Sequence, residues 1–156
     1  IYLEEYGYSR QWIGWLWALG VIAEIAVFVV MHRLMPRYGA RKLLLSALAL
    51  TSLRWVLVAL FLDNLTILLF AQLLHAASFG VVHAVAIHLI HMFFTGHHQG
   101  KGQALYSSFT FGVGGALGSL YGGYLWGIAG PEVVYLIAAA ISLLAYVLAW
   151  RGIRAV

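Results

Sequence analysis

Five apolar runs, at residues 12–31, 43–62, 65–94, 105–128 and 133–150, sort the charges of this chain into connections of opposite sign. Arg33, Arg37, Arg41 and Lys42 join the first two runs, Lys101 with His97 and His98 joins the third and fourth, and Arg151 and Arg154 follow the last. Glu4, Glu5, Asp63 and Glu132 fill the alternate connections, where Arg10 is the lone contrary cation. This is the positive-inside pattern of a chain threaded repeatedly through a bilayer. It predicts an all-α, polytopic bundle of five spans, with basic loops and the C-terminus in the cytoplasm and the N-terminus outside. Each run reaches the length of about 17–25 residues that a helix needs to cross the hydrocarbon.

The composition agrees. A chain 63% hydrophobic and 9% charged, with a mean hydropathy of +0.92, is suited to lipid as its solvent. The net charge of +4 follows from topology and forms no basic stripe of the kind that binds nucleic acid. With no cysteine, disulfides and thiolate metal sites are excluded. The chain opens at Ile1 and runs through Tyr2-Leu3 into Glu4-Glu5, as though a helix had been cut, so a fragment is expected. One further span upstream would complete six.

The third run is too long for one perpendicular crossing, and is expected to tilt, to kink near Gly80, or to project beyond the membrane. Gly114, Gly118 and Gly122 recur every four residues on one face of the fourth run, a pattern that suits close helix packing or a sliding surface. Tyr6, Tyr8, Trp12, Trp15, Tyr121, Tyr124 and Trp126 fall near the outer boundary, and Phe93, Phe94, Tyr106 and Trp150 near the inner one, where amphipathic rings anchor spans. Trp17 and Trp55 lie deeper, where they could stack on a substrate ring or simply pack.

Two charges break the pattern. Glu24 lies twelve residues into the first run and Arg54 twelve residues beyond Lys42, each about 18 Å deep. A lone charge there costs about 2.5–3.5 kcal/mol, so pairing or a wet cavity is required. The antiparallel arrangement of the two spans predicts a Glu24–Arg54 ion pair. Gln72 and His75, three apart on one face of the third span, reach a similar depth. A carboxylate, a guanidinium and an imidazole at one level suit the uptake and release of a proton, and a structural ion pair with a hydrogen-bonded histidine is the alternative. His83, His88, His91, His97 and His98 raise the question of a metal, but no Asp or Glu lies between Asp63 and Glu132 to complete a ligand set. No metal or cofactor is expected.

The loop 32–42 contains Arg37, Gly39, Arg41 and Lys42, and here the chain resembles the major facilitator superfamily. That superfamily carries an acid, Arg, a variable residue, Gly and two basic residues in this loop, and Pro36 stands where the acid belongs. The wider text resembles the 3-phenylpropionate permease-like branch: Gly7-Tyr8-Ser9, Leu16-Trp17-Ala18-Leu19-Gly20, Leu53-Arg54-Trp55, Gln72-Leu73-Leu74-His75-Ala76 with Ser78-Phe79-Gly80, and Gln103-Ala104-Leu105-Tyr106. The resemblance implies that residues 1–156 are the C-terminal half of a twelve-helix transporter, spans eight to twelve, with the N-terminal half absent.

It further implies a proton-coupled symporter in the plasma (bacterial inner) membrane, and no enzyme. Its partners would be protons, membrane lipid and a small organic solute, an aromatic carboxylate first and a sugar or nucleoside second. By helix and depth the resemblance carries a Glu, an Arg and a His onto Glu24, Arg54 and His75, which puts Glu24 and His75 in proton coupling and Arg54 at the substrate; beside them Gln72 would orient the substrate or tune Glu24, and Trp17 and Trp55 are candidates to stack on it. The second carboxylate of the related lactose permease branch has no counterpart, since Ser78 occupies its position. Two readings of another class stand beside this one, a His-rich membrane metalloenzyme and a non-transporting scaffold.

Overall fold

A computed structural model describes residues 1–153, and every regular element in them is helical; Arg154 lies outside the described residues. A short α1 (Tyr2–Glu5) leads to α2 (Arg10–Tyr38), whose first turn is capped by the Ser9 hydroxyl accepting from the amide of Trp12 at 3.4 Å. Asn64 caps α4 (Leu65–Leu73) more fully, accepting from the amides of Thr66 and Ile67 at 3.0 and 3.2 Å. Pro131 opens α8 (Pro131–Gly152), at the position where a missing amide costs nothing.

The first span outruns its apolar run by a full seven residues, to Tyr38, because Pro36 falls inside the last turns without stopping the helix. Only Gly39 then separates α2 from α3 (Ala40–Leu60). Its φ of 78° and ψ of 154° fall in a region essentially reserved for glycine. The predicted signature loop is therefore a one-residue joint. Within it Arg37 covers the Tyr38 ring at 5.3 Å, and Lys42 already belongs to α3. Arg41 donates from Nε to the Ile153 carbonyl at 2.6 Å and from its terminal nitrogen to the Trp150 carbonyl at 2.8 Å. It caps the C-terminal end of α8, where free carbonyls and the helix dipole favour a cation.

The long third span is helical from Leu65 to Phe93, 29 residues, or about 43 Å of helix. The expected disturbance at Gly80 takes the form of a π-helical turn, Ala76–Val81, between α4 and α5 (Val82–Phe93). A second π turn, Ser108–Val113, joins α6 (Gln99–Ser107) to α7 (Gly114–Ala129). Among the described residues four helices are long and apolar enough to cross a membrane: Arg10–Tyr38, Ala40–Leu60, Leu65–Phe93 and Pro131–Gly152. The remaining expected span, the fourth run at 105–128, is helical throughout, but its glycines and tyrosines dilute its hydropathy below that of the other four.

Packing is densest between α3 and α8, where Ala47 and Ala139 are buried and two serines cross-link the backbones. Ser52 donates to the Ala139 carbonyl at 3.0 Å and Ser142 to the Leu48 carbonyl at 2.9 Å. In lipid, where apolar surface gives helices little reason to associate, small residues and such hydrogen bonds hold them together. The close packing expected of Gly114, Gly118 and Gly122 is thus supplied elsewhere. Nothing lies within 4 Å of a Cβ at Gly118 or Gly122, the only near atom at Gly114 is the Phe109 carbonyl of its own span, and α7 buries no residue.

Several outer aromatics do more than anchor. Tyr8 donates to the Leu62 carbonyl at 3.0 Å, and Trp126 packs edge-on against Tyr2 at 5.7 Å. Arg10, the contrary cation, is paired with Glu4 at 3.2 Å, so its charge is matched locally in the exposed outer connection.

Candidate functional site

The site forms where α2, α3 and the third span meet, and two glycines make the meeting close. A Cβ at Gly20 of α2 would stand 3.4 Å from both Gln72 Oε1 and His75 Cδ2, and a Cβ at Gly80 would stand 3.3 Å from Glu24 Cγ. Each helix thus offers a bare backbone to the polar side chain of the other. Sequence reasoning marked Gly80 as a kink and Gly20 only as part of a resembling string. The signal for their role was their placement four or five residues from a buried polar group on the same span.

Between these glycines Glu24 Oε2 lies 3.6 Å from His75 Nε2, with the two side chains 17% and 30% exposed. This corrects the expected Glu24–Arg54 pair. No ion pair to Arg54 is found among the described residues. Its guanidinium lies instead over the ring of Trp55, 4.3 Å from the centroid. Cation–π contact with the neighbouring indole partly compensates a buried cation, which is why the carboxylate is left to the histidine.

A cavity of about 650 Å³ opens beside this cluster. Arg54, Trp55, Gln72, His75 and Trp17 all line it, so five of the six residues assigned from sequence to substrate or proton share one chamber. Glu24 stands behind its wall, in contact through His75. Trp17 is 71% exposed, at the open side of the chamber. Two buried polar atoms here have no hydrogen-bond partner among the described residues: Arg54 Nε and His75 Nδ1. Unsatisfied donors of this kind are costly in a finished core and mark a place for a ligand or water.

Sequence reasoning missed Thr51, Phe79 and Tyr135 in the lining. Tyr135 was hidden because a tyrosine at the third residue of an apolar run, near its outer boundary, reads as an anchor. Phe79 forms the floor, stacked between His75 at 6.2 Å and His83 at 5.8 Å. Below it His83 Nδ1 lies 3.2 Å from the Tyr106 hydroxyl, so Tyr106 ties the third span to the fourth besides standing near the inner boundary. His91 lies 3.5 Å from Gln103 Nε2, and no group of three metal-ligating side chains gathers among the described residues.

Comparison with known proteins agrees with this architecture. The chain is 32% identical over 142 residues to the probable 3-phenylpropionic acid transporter of Escherichia coli (strain K12), a match covering 88% of this chain and 36% of that protein. It therefore spans about a third of the length of that relative. No solved structure matches the chain. The model of the MFS_1 like family matches residues 1–137, which takes in every residue lining the cavity. With three of the candidate spans, the chamber lining and the two mid-span charges in the matched region, the chain belongs to the MFS_1 like family, a family of multi-pass membrane transporters rather than enzymes.

Proposed function

We propose that this chain is the C-terminal half of a proton-coupled symporter for a small aromatic carboxylate, working by alternating access in the plasma membrane. Its basic loops and C-terminus face the cytoplasm. The observation that carries the proposal is Arg54: a half-buried guanidinium with no carboxylate partner among the described residues, its Nε unsatisfied, lining a chamber that two tryptophans also line. A planar anion with an aromatic body satisfies such a site at both ends, since the carboxylate takes the unpaired donors and the ring takes the indole faces. The similarity to the probable 3-phenylpropionic acid transporter supports this class of substrate.

Coupling follows from charge balance. With His75 neutral, Arg54 and Glu24 cancel. An anionic substrate leaves the chamber one negative charge in excess, and one proton on the Glu24–His75 pair restores neutrality. An unbalanced charge at mid-membrane costs about 2.5–3.5 kcal/mol on insertion scales, so substrate and proton each promote the binding of the other. Gln72, next to His75 across Gly20, orients the substrate or the pair. The sidedness is supported by Arg41, which holds the first basic loop to the end of α8 and so puts both on one side of the bundle.

The test is uptake of labelled 3-phenylpropionate into membrane vesicles bearing the full-length protein, driven by an imposed proton gradient. Glu24→Gln is expected to abolish accumulation against the gradient and Arg54→Ala to abolish saturable uptake. Accumulation at the wild-type level by both variants would refute the assignment, and uptake of a sugar or nucleoside instead would move the substrate to the second class.

A further inference from the structure

Arg54 does not hold its place alone. Trp55, over which it lies, stacks on Tyr135 of α8 with ring centroids 5.4 Å apart and planes 24° from parallel. Tyr135 stacks in turn on Tyr2 of α1, at 5.5 Å and 20°. The Tyr2 hydroxyl donates to the Ala59 carbonyl of α3 at 3.3 Å, closing a loop through three helices. The result is a column of flat groups with a guanidinium at one end and a backbone-tethered phenol at the other, and Tyr135 is its central member and part of the chamber wall.

We infer that Tyr135 is a positioning residue for anion selectivity, fixing the plane of Trp55 and through it the direction in which Arg54 offers its free donors to the chamber. The inference rests on the reading of Arg54 as the substrate's anion ligand. An indole held on one face only by a mobile guanidinium is free to turn about its side-chain bonds, and a guanidinium donates well only along its own plane. The stack with Tyr135 removes that freedom. The role requires a flat ring and not a hydroxyl, which separates it from a hydrogen-bonding role.

The experiment uses the full-length protein in vesicles, measuring 3-phenylpropionate uptake and its inhibition by the uncharged 3-phenylpropionamide. Tyr135→Leu is expected to raise KM for the carboxylate about five- to tenfold, the range of an aromatic pair, with maximal rate within twofold and inhibition by the amide unchanged. Tyr135→Phe keeps KM within twofold of wild type. If Tyr135→Leu does not reach the membrane, Tyr135→Met, a flexible filler without a ring, takes its place with the same expectations. An unchanged KM in the ringless variant, an equal shift for acid and amide, or a Tyr135→Phe as impaired as Tyr135→Leu would overturn the inference. Arg54→Ala run alongside separates the two levels: saturable uptake with unaltered KM in that variant removes the anion reading itself, whereas loss of saturable uptake there with unaltered KM in Tyr135→Leu removes only the role of Tyr135.

Discussion

Glu24 and His75 face each other at 3.6 Å across a contact in which each backs onto a glycine of the opposite helix, His75 onto Gly20 and Glu24 onto Gly80. The pair therefore depends on helix approach as much as on its own charges. Gly80→Leu is expected to push the third span from α2 and cost about 1–3 kcal/mol by overpacking, with loss of proton-driven uptake. Gly80→Ala, whose Cβ meets the movable Glu24 Cγ at 3.3 Å and otherwise Val27 Cγ1 and the Glu24 carbonyl at ordinary contacts of 3.5 and 3.7 Å, should keep expression and lose part of the coupling. Thermal unfolding of the purified protein beside vesicle uptake checks both.

Glu24→Gln tests the pair's charge directly. Uptake by the wild-type protein is expected to rise as external pH falls, because protonation of the Glu24–His75 pair accompanies substrate. The amide should flatten that dependence while leaving exchange of labelled for unlabelled substrate intact. Retention of a wild-type pH profile in Glu24→Gln would remove the carboxylate from coupling.

Arg54→Lys keeps the charge and loses the planar fork that lies over Trp55. It is expected to raise KM at least tenfold, and Arg54→Ala should go further. A lysine variant indistinguishable from wild type would mean that a point charge suffices and the stack is idle.

Arg41→Ala removes two charge-assisted hydrogen bonds to the end of α8, at the Trp150 and Ile153 carbonyls. A loss of about 1–2 kcal/mol is expected, reduced from the usual range for such bonds because the site is partly exposed. Faster proteolysis near residue 150 with unchanged KM is the signature to look for.

Most of the fold was legible in the sequence because lipid imposes a simple rule: long apolar runs, glycine or capped breaks, and cations on one side. The chamber was half legible, since a Glu, an Arg and a His in the middle of apolar runs announce themselves by their cost. What could not be read was which charge meets which. Glu24 and Arg54 are at matching depth, yet rotation of each helix decides the partner, and residues 43–60 are too uniformly apolar for their pattern to fix that rotation. The role of Gly118 and Gly122 could not be read for a related reason, as a small-residue stripe says that a surface is approachable and not what approaches it, and no atom beyond their own helix lies within 4 Å of a Cβ at either.

Gly39 carries a last consequence. With one residue between α2 and α3, and Arg41 strapping the far end of α8 beside it, the helices bearing Glu24, Arg54 and Tyr135 meet at a common joint. Straining that joint by Gly39→Ala, which forces a side chain into backbone territory costing about 1–3 kcal/mol, will be felt at the chamber although Glu24 and Arg54 each lie about 22 Å of helix away from it.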